Sequence, residues 1–377
     1  MKKALCIICL VLFISLFYAG YSLPKDVIKI GLITPLTGDV KTFGESTKNA
    51  FNIALEEYEK TGKYKIVPII ADDRNDPTEG ANAALKLITQ DKVVAVIGPL
   101  TSKVAIPVSE IANSNKTPMI SGTATAPKVT FSEGKRKPYV FRACYIDPFQ
   151  GTVGANFAIK QLKAKTAAVL YDVGNDYSKG LAEYFKATFT KGGGNIVAYE
   201  SYQKDDVDFS ALITKIGMKK PEVIYVPDYY NKVALIAKQI REKGLKSALI
   251  GGDGWDSPEL LKIAGNAIVG GSFTNHYSPD RKDPIADAFI KKYKEKFGNV
   301  PDALGALGYD STVMLLKVLD SLKKPTQEEI MKALTVVKNF KGVTGSISFD
   351  KNGDAIKSAV ILKVEKDGFK YMTTINP

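Results

Sequence analysis

The chain is poor in the side chains from which metal sites, disulfide frameworks and catalytic centres are most often built. Its 377 residues include one histidine, His276, and three cysteines. A single histidine excludes a histidine-rich metal site. Cys6 and Cys9 lie near the N-terminus and Cys144 alone lies in the body of the chain, so no internal disulfide is expected there. The fold must therefore rest on its own hydrophobic core.

Two common enzyme signatures are also missing. No Gly-x-Ser-x-Gly nucleophile motif occurs, and no Gly-x-Gly-x-x-Gly sequence follows a predicted strand. A hydrolase or a dehydrogenase is therefore disfavoured. We expect no catalytic residue, no cofactor and no metal ion.

Arginine is scarce although the chain is basic. Lysine and arginine together number 52 against 40 acidic residues, a net charge of +12, yet arginine occurs only at positions 74, 136, 142, 241 and 281. The lysines are scattered among acidic residues, and the densest basic run, 135–137, is typical of a solvated loop. No nucleic-acid partner is expected.

Only one apolar stretch is long, and it lies at the N-terminus. Residues 1–3 form a basic head, residues 4–19 are almost wholly apolar, and Gly20 and Ser22 are small. This pattern is typical of a secretory signal peptide, here residues 1–22, and we expect a periplasmic protein. A retained membrane anchor is the alternative, although at about 1.5 Å per residue the stretch is slightly short for a bilayer core of about 30 Å.

Short apolar runs alternate with longer segments of helical periodicity along most of the chain. The run 27–33 indicates a strand, and apolar positions between 43 and 58 then recur with helical spacing. Similar strand–helix units begin near residues 66, 93, 167 and 223. The alternation predicts an α/β fold with parallel sheets, because strands covered by helices on both faces are continuously apolar. Towards the C-terminus, the segments 345–349 and 359–364 indicate two strands joined by a turn.

Polar side chains follow the predicted strands in two places. Ser102 and Thr125 lie after one pair of neighbouring strands, and Tyr229 and Asp253 lie after another pair at nearly the same spacing. Ligands of open α/β sheets bind at this carboxyl edge of the strands. Two such edges that face each other would form a cleft, although the spacing alone is also compatible with an ordinary α/β protein.

Six motifs then occur in a characteristic order. They are IGLITPLTG at 30–38, DDRNDP at 72–77, VIGP at 96–99, SGTATAP at 121–127, DYSKG at 176–180 and GGDG at 251–254. In this order the chain resembles the type I periplasmic binding proteins, specifically the Leu/Ile/Val-binding family. The resemblance covers residues 27 to about 354 and implies two Rossmann-like α/β lobes with parallel sheets, joined by three crossovers. Lobe 1 is expected at 24–143 plus 275–345, and lobe 2 at 144–274 plus 346–377, with the ligand cleft between them.

The resemblance also implies which residues hold the polar groups of a ligand. Ser102 is expected to bind a carboxylate, with a helix N-cap as its alternative role. Thr123 and Thr125 lie in the loop that holds the carboxylate and ammonium groups. Asp253 is expected to pair with the α-ammonium, because a buried ammonium needs a counter-charge, and its alternative role is that of a turn residue.

Aromatic and apolar residues complete the implied pocket. Tyr177 and Tyr229 are expected to close over the ligand, with core packing as their alternative role. Phe43 is expected to lie against the ligand side chain, and Leu304 is a further candidate. One departure concerns the enteric members' cysteine pair, since Asn75 and Thr101 stand near those two positions.

The function implied by the resemblance is capture of a free amino acid, namely Leu, Ile or Val, by lobe closure. The protein would deliver this amino acid to an ABC transporter permease in the inner membrane, and a monomer is expected. The same fold also serves proteins that bind or sense amides, urea or aromatic acids, and this alternative stays open at the level of sequence.

Overall fold

The computed structural model describes residues 25–377, so the predicted signal peptide at 1–22 lies outside the described residues. The strands, numbered in chain order, are β1 (Val27–Thr34), β2 (Lys65–Asp72), β3 (Ala95–Ile97), β4 (Met119–Ser121), β5 (Phe131–Ser132), β6 (Lys135–Arg136), β7 (Val140–Arg142), β8 (Thr166–Asp172), β9 (Asn195–Tyr202), β10 (Val223–Tyr225), β11 (Ala248–Gly251), β12 (Ser272–Asn275), β13 (Phe340–Gly342), β14 (Gly345–Phe349), β15 (Ala355–Ile356), β16 (Ala359–Glu365) and β17 (Gly368–Ile375).

The α-helices lie between these strands and again follow chain order. They are α1 (Lys41–Thr61), α2 (Pro77–Leu85), α3 (Ser102–Ser114), α4 (Asp147–Lys160), α5 (Asp176–Lys191), α6 (Ser210–Met218), α7 (Tyr230–Glu242), α8 (Pro258–Ala264), α9 (Pro284–Phe297), α10 (Ala303–Ser321) and α11 (Gln327–Thr335). None of the helices within residues 25–377 is long and apolar enough to cross a membrane.

The strands form two main sheets, each of which is the centre of one lobe. The lobe 1 sheet has the order β2-β1-β3-β4-β7, and all of its pairs are parallel. The lobe 2 sheet has the order β17-β16-β12-β11-β10-β8-β9. Its strands from β8 to β12 are parallel, whereas β16 and β17 are antiparallel additions. The predicted α/β class with parallel sheets is therefore confirmed.

Burial on both faces explains why the strands read as continuous apolar runs. In β1, Ile30 and Leu32 are fully buried in a cluster with Phe51 of α1. Ile33 belongs to a different cluster, which includes Val104 of α3. Because successive side chains of a strand point to opposite faces, both faces of the sheet are covered by helices. This arrangement leaves the strand ends as the accessible part of the sheet.

The C-terminal strands pair differently from the sequence expectation. β14 pairs with β13 and β15, whereas β16 pairs with β12 and β17, so the two predicted strands are not partners. Ile347, Phe349 and Ala355 pack into a core cluster of the lobe 1 sheet. The last passage to the lobe 2 sheet therefore falls between β15 and β16, later than the expected boundary at residue 345. The hydrophobic burial of these side chains gives the physical reason.

Candidate functional site

A narrow cavity lies between the two lobes at the carboxyl ends of the strands. It is lined by Phe43, Leu100, Thr101, Ser102, Thr123 and Leu304 from lobe 1, and by Tyr177, Tyr229, Asp253 and Gly254 from lobe 2. Eight of these residues come from segments that follow β3, β4, β8, β10 and β11, which is the edge where open α/β sheets bind ligands. Phe43 lies near the start of α1, after β1, and Leu304 lies near the start of α10. Because the walls come from both lobes, a ligand bound between them would touch both lobes at once.

Ser102 is the first residue of α3 and brings that helix N-terminus to the cavity wall. The turn before it depends on Gly98, which has φ +90°, and an added Cβ would lie 2.1 Å from the carbonyl oxygen of Ile33. Thr101, not Ser102, occupies the N-cap position. The Ser102 hydroxyl oxygen accepts a hydrogen bond from the backbone N–H of Ala126 at 3.1 Å. Its proton and the first N–H groups of α3 can therefore serve an anion.

A hydrogen bond joins the two residues that stand near the enteric cysteine positions. The Thr101 hydroxyl donates to Asn75 Oδ1 at 2.8 Å, and both residues are buried. The loop after β2 and the start of α3 are therefore linked without a disulfide.

The two threonines of the next loop have different places. Thr123 lines the cavity, and its hydroxyl donates to the carbonyl oxygen of Leu100 at 2.7 Å. This hydroxyl can therefore accept a hydrogen bond from an ammonium group but cannot also donate one to a carboxylate. Thr125 departs from the expectation, because it is fully buried and is not among the lining residues. Its carbonyl oxygen accepts the backbone N–H of Asp147 at 3.0 Å, which directs this part of the loop towards α4.

Asp253 supplies the negative charge on the lobe 2 wall. Its Oδ1 accepts hydrogen bonds from Gln150 Nε2 and from the Tyr177 hydroxyl, each at 2.8 Å. Its Oδ2 lies 2.9 Å from His276 Nε2. The carboxylate is 6% exposed and lines the cavity, so it is both oriented by its neighbours and able to contact a ligand.

The glycines around Asp253 allow a close approach of backbone and aromatic side chains. A Cβ at Gly254 would lie 2.8 Å from the carbonyl oxygen of Asp228 and 3.0 Å from the Tyr177 hydroxyl oxygen. The backbone N–H of Gly254 donates to that hydroxyl at 2.9 Å. The GGDG motif therefore serves the packing of the site as well as the turn.

Aromatic rings cover the apolar side of the cavity from both lobes. Tyr177 and Tyr229 are stacked, with centroids 5.2 Å apart and an interplanar angle of 3°. Phe43 of lobe 1 meets Tyr229 edge-on at 6.0 Å and Tyr230 at 5.1 Å. Burial, reinforced by the Asp253 carboxylate, raises the pKa of Tyr177 well above its usual range, so its hydroxyl remains a donor. Burial also raises the pKa of Tyr229, with Asp228 as the next cause.

Direct contacts across the cleft hold the two lobes together in this structure. Thr42 and Ser257 hydroxyl oxygens are 3.1 Å apart, and Lys128 Nζ lies 3.0 Å from Asp176 Oδ1. Asp256 Oδ2 in lobe 2 accepts the backbone N–H at the start of α10 at 2.7 Å. The Lys128–Asp176 ion pair is exposed, and such pairs contribute at most about 1 kcal/mol. The contacts nevertheless identify this conformation as a closed one.

The structure brings together six of the seven site residues expected from the sequence, together with Leu304, and sets Thr125 apart. Sequence reasoning missed Leu100, Thr101 and Gly254 on the wall. It also missed the two residues behind Asp253, namely Gln150 and His276. Gln150 carried no signal, because it lies within an ordinary helix. His276 is the single histidine of the chain, and that fact was the only available signal.

The geometry suits the binding of a small zwitterion with an apolar side chain. A helix N-terminus and a hydroxyl lie on one wall, a carboxylate lies on the other, and aromatic rings lie between them. Within residues 25–377, no group of three or more His, Cys, Asp or Glu side chains could hold a metal ion. A cleft of this kind, between two α/β lobes, defines a solute-binding protein.

The chain belongs to the periplasmic binding protein family, whose model matches residues 27–369. It is 34% identical over 332 residues to the Leu/Ile/Val-binding protein homolog 3 of Brucella melitensis, covering 87% of this chain and 88% of that relative. This is a family of binding proteins rather than of enzymes.

Two solved structures share the fold over nearly the whole chain. The leucine-binding protein LivK of Thermotoga maritima has a TM-score of 0.88 and 39% identity, covering 93% of this chain and 99% of that one. The branched-chain amino acid transporter substrate-binding protein LivJ of Streptococcus pneumoniae, in complex with isoleucine, has a TM-score of 0.87 and 30% identity. That comparison covers 93% of this chain and 100% of LivJ.

Proposed function

We propose that this protein captures a free branched-chain amino acid, namely Leu, Ile or Val, and delivers it to an ABC transporter. The observation that carries the proposal is the placement of Ser102 and Asp253 on opposite walls of one narrow cavity. The anion-binding end of α3 matches an α-carboxylate, and the Asp253 carboxylate matches an α-ammonium. The relatives that bind leucine and isoleucine support the same ligand class.

The residues between these two walls suit an aliphatic side chain. Phe43, Leu100 and Leu304 provide apolar surface, and Tyr229 adds an aromatic face. The Thr123 hydroxyl can accept a hydrogen bond from the ammonium group while it donates its own hydrogen bond to the Leu100 carbonyl oxygen. An aromatic acid without an ammonium would leave Asp253 buried beside a second carboxylate, so this alternative is disfavoured.

Binding and closure are expected to be coupled. A zwitterion that bridges the lobes makes more contacts in the closed form than in the open form, and only such a difference in affinity shifts the equilibrium. The closed form is then the state that a membrane permease recognises. We propose that the protein acts as a monomer, because both walls of the cavity come from one chain.

Calorimetry with the isolated protein and a panel of ligands tests this function. We expect Leu, Ile and Val to bind with dissociation constants below about 100 μM, equivalent to about −5.5 kcal/mol. Alanine and threonine test the size of the pocket, while benzoate and acetamide test the alternatives. Failure of every α-amino acid to reach that affinity would contradict the amino-acid proposal, and tight binding of benzoate would favour an aromatic acid.

We also propose export to the periplasm through cleavage of residues 1–22. The basic head and the apolar stretch that follows support this step, as does the family to which the chain belongs. Expression of the full chain in a Gram-negative host should give a periplasmic product that begins at Leu23. Intact-mass measurement checks the N-terminus, and recovery of an uncleaved chain in the membrane fraction would support a retained anchor instead.

A further inference from the structure

His276 lies directly behind the acid of the cleft. It follows the last residue of β12 and is 2% exposed. Its Nε2 atom is 2.9 Å from Asp253 Oδ2, and its backbone N–H donates to Asn275 Oδ1 at 2.9 Å. The Tyr145 ring stacks on the imidazole, with centroids 3.7 Å apart and an interplanar angle of 27°. The imidazole is therefore held on its face by Tyr145 and at Nε2 by Asp253. Its other nitrogen, Nδ1, has no hydrogen-bond partner among residues 25–377.

The same carboxylate is held from a second direction. Gln150 Nε2 donates to Asp253 Oδ1 and also contacts the Thr274 hydroxyl oxygen at 3.0 Å. The Tyr177 hydroxyl donates to Oδ1 from the cavity side. Each oxygen of Asp253 thus has at least one fixed partner, which limits rotation of the carboxylate about its own axis. His276 is the partner of Oδ2 within the described chain.

The charge state of the imidazole decides what this contact does. Burial lowers the pKa of His276 to about 4, although the hydrogen bond to Asp253 opposes the shift. The imidazole is therefore neutral at pH 7. An ionised carboxylate only accepts hydrogen bonds, so the proton must be on Nε2. A neutral donor orients Asp253 without cancelling its negative charge, whereas an imidazolium would compete with a ligand cation.

We propose that His276 is a positioning residue of the amino-acid site, whose neutral Nε2–H orients Asp253 towards the α-ammonium of the ligand. The proposal rests on the proposed amino-acid function. It assigns no direct ligand contact to His276, because this residue does not line the cavity. Its effect on affinity should therefore pass through Asp253.

A double-mutant cycle separates this role from a merely structural one. His276→Leu removes the hydrogen-bond donor with little change in side-chain volume. We expect leucine affinity to fall at least about tenfold, because hydrogen bonds to charged groups are stronger than those between neutral groups. In an Asp253→Asn background, the same change should alter affinity by less than about threefold. His276→Gln, whose amide can donate from a similar position, should recover most of the affinity. Tyr277→Phe is the control for a neighbouring buried change and should bind as the parent does.

Two results of this cycle would overturn the proposal. An equal loss in both backgrounds would mean that His276 acts only on the fold, and an unchanged affinity of His276→Leu would remove it from the site. Failure of the parent protein to bind any amino acid would instead refute the proposed function.

Nitrogen-15 NMR of the untagged protein tests the same contact without a variant at position 276. The chain contains one histidine, so its imidazole signals need no assignment by mutation. We expect the neutral Nε2–H tautomer at pH 7 and a clear shift of its resonance in Asp253→Asn. An Nδ1–H tautomer, an imidazolium or a resonance insensitive to Asp253→Asn would contradict the proposal, whether or not His276→Leu folds.

Discussion

Replacement of Asp253 by asparagine is expected to weaken leucine binding at least tenfold. The variant keeps the shape of the side chain but removes the negative charge that would pair with the α-ammonium. Removal of one partner from a buried, hydrogen-bonded charge pair costs about 2–5 kcal/mol, and each 1.4 kcal/mol corresponds to a factor of ten. A loss of about a hundredfold is therefore within the expected range. Titration calorimetry with leucine measures the effect.

The surroundings of Asp253 make this variant informative. Gln150 and Tyr177 both donate to Oδ1, and an asparagine oxygen can accept the same two bonds. The new amide nitrogen would face His276 Nε2, which can accept a hydrogen bond as the Nδ1–H tautomer, so the fold should tolerate the change. Near-ultraviolet circular dichroism can check this. Asp205→Asn is the matched control, because it removes one negative charge at an exposed position and should leave affinity unchanged. Leucine binding by Asp253→Asn equal to that of the parent would exclude Asp253 from the ligand site.

Replacement of Arg142 by methionine is expected to reduce the free energy of unfolding by about 3–5 kcal/mol, the range for breaking a buried ion pair. The Arg142 side chain is fully buried at the end of β7, and its Nε lies 2.6 Å from Asp354 Oδ1. Its Nη1 donates to the carbonyl oxygens of Ala124 and Ala126 at 2.8 and 2.9 Å. Its Nη2 donates to the Thr130 hydroxyl at 2.7 Å. Methionine would remove the Arg142 donor from all of these acceptors and the counter-charge from Asp354.

Urea denaturation followed by circular dichroism measures this loss. Arg281→Met, at an exposed position, is the control and should change the unfolding free energy by less than about 0.5 kcal/mol. The double variant Arg142→Met with Asp354→Leu should recover part of the stability, because it no longer leaves a buried carboxylate without a counter-charge. A loss below about 1 kcal/mol for Arg142→Met would contradict a structural role for this ion pair.

The Arg142 contacts also bear on the ligand site. The carbonyl oxygens that Arg142 binds belong to the loop that carries Thr123, which lines the cavity. This loop is thus tied to the turn before β15 through Asp354. Loss of these contacts should loosen the lobe 1 wall as well as the fold, so affinity for leucine is expected to fall together with stability.

Local sequence patterns predicted the main strand–helix units, and the resemblance to a known family supplied most of the expected wall of the cleft. The apolar runs predicted buried parallel strands because each strand is covered on both faces, as Ile30 and Ile33 illustrate. Ser102, Thr123, Tyr177 and Asp253 lie shortly after the ends of strands, and the carboxyl ends of parallel strands meet at one edge of a sheet. Their positions along the chain therefore carried information about their positions in space.

The remaining features depend on contacts between residues far apart in the chain. Thr125 lies two positions from Thr123, but its backbone turns towards α4 and removes its side chain from the cavity. The last crossover of the chain from lobe 1 to lobe 2 comes later than expected because Ile347 and Phe349 are buried against the lobe 1 sheet. No local pattern predicts whether Thr125 faces the cavity or the core, or which lobe residues 347–349 join. The same residue types occur in both situations.

The sequence by itself determined an α/β family of binding proteins, the strand–helix order and an acid–hydroxyl pair suited to an amino acid. Only the tertiary structure decided which neighbours orient that acid. His276 and Gln150 are separated from Asp253 by 23 and 103 positions, yet both hydrogen-bond to its carboxylate. Periodicity reports which face of an element is buried, whereas the partner of a buried polar group is set by how complete elements pack.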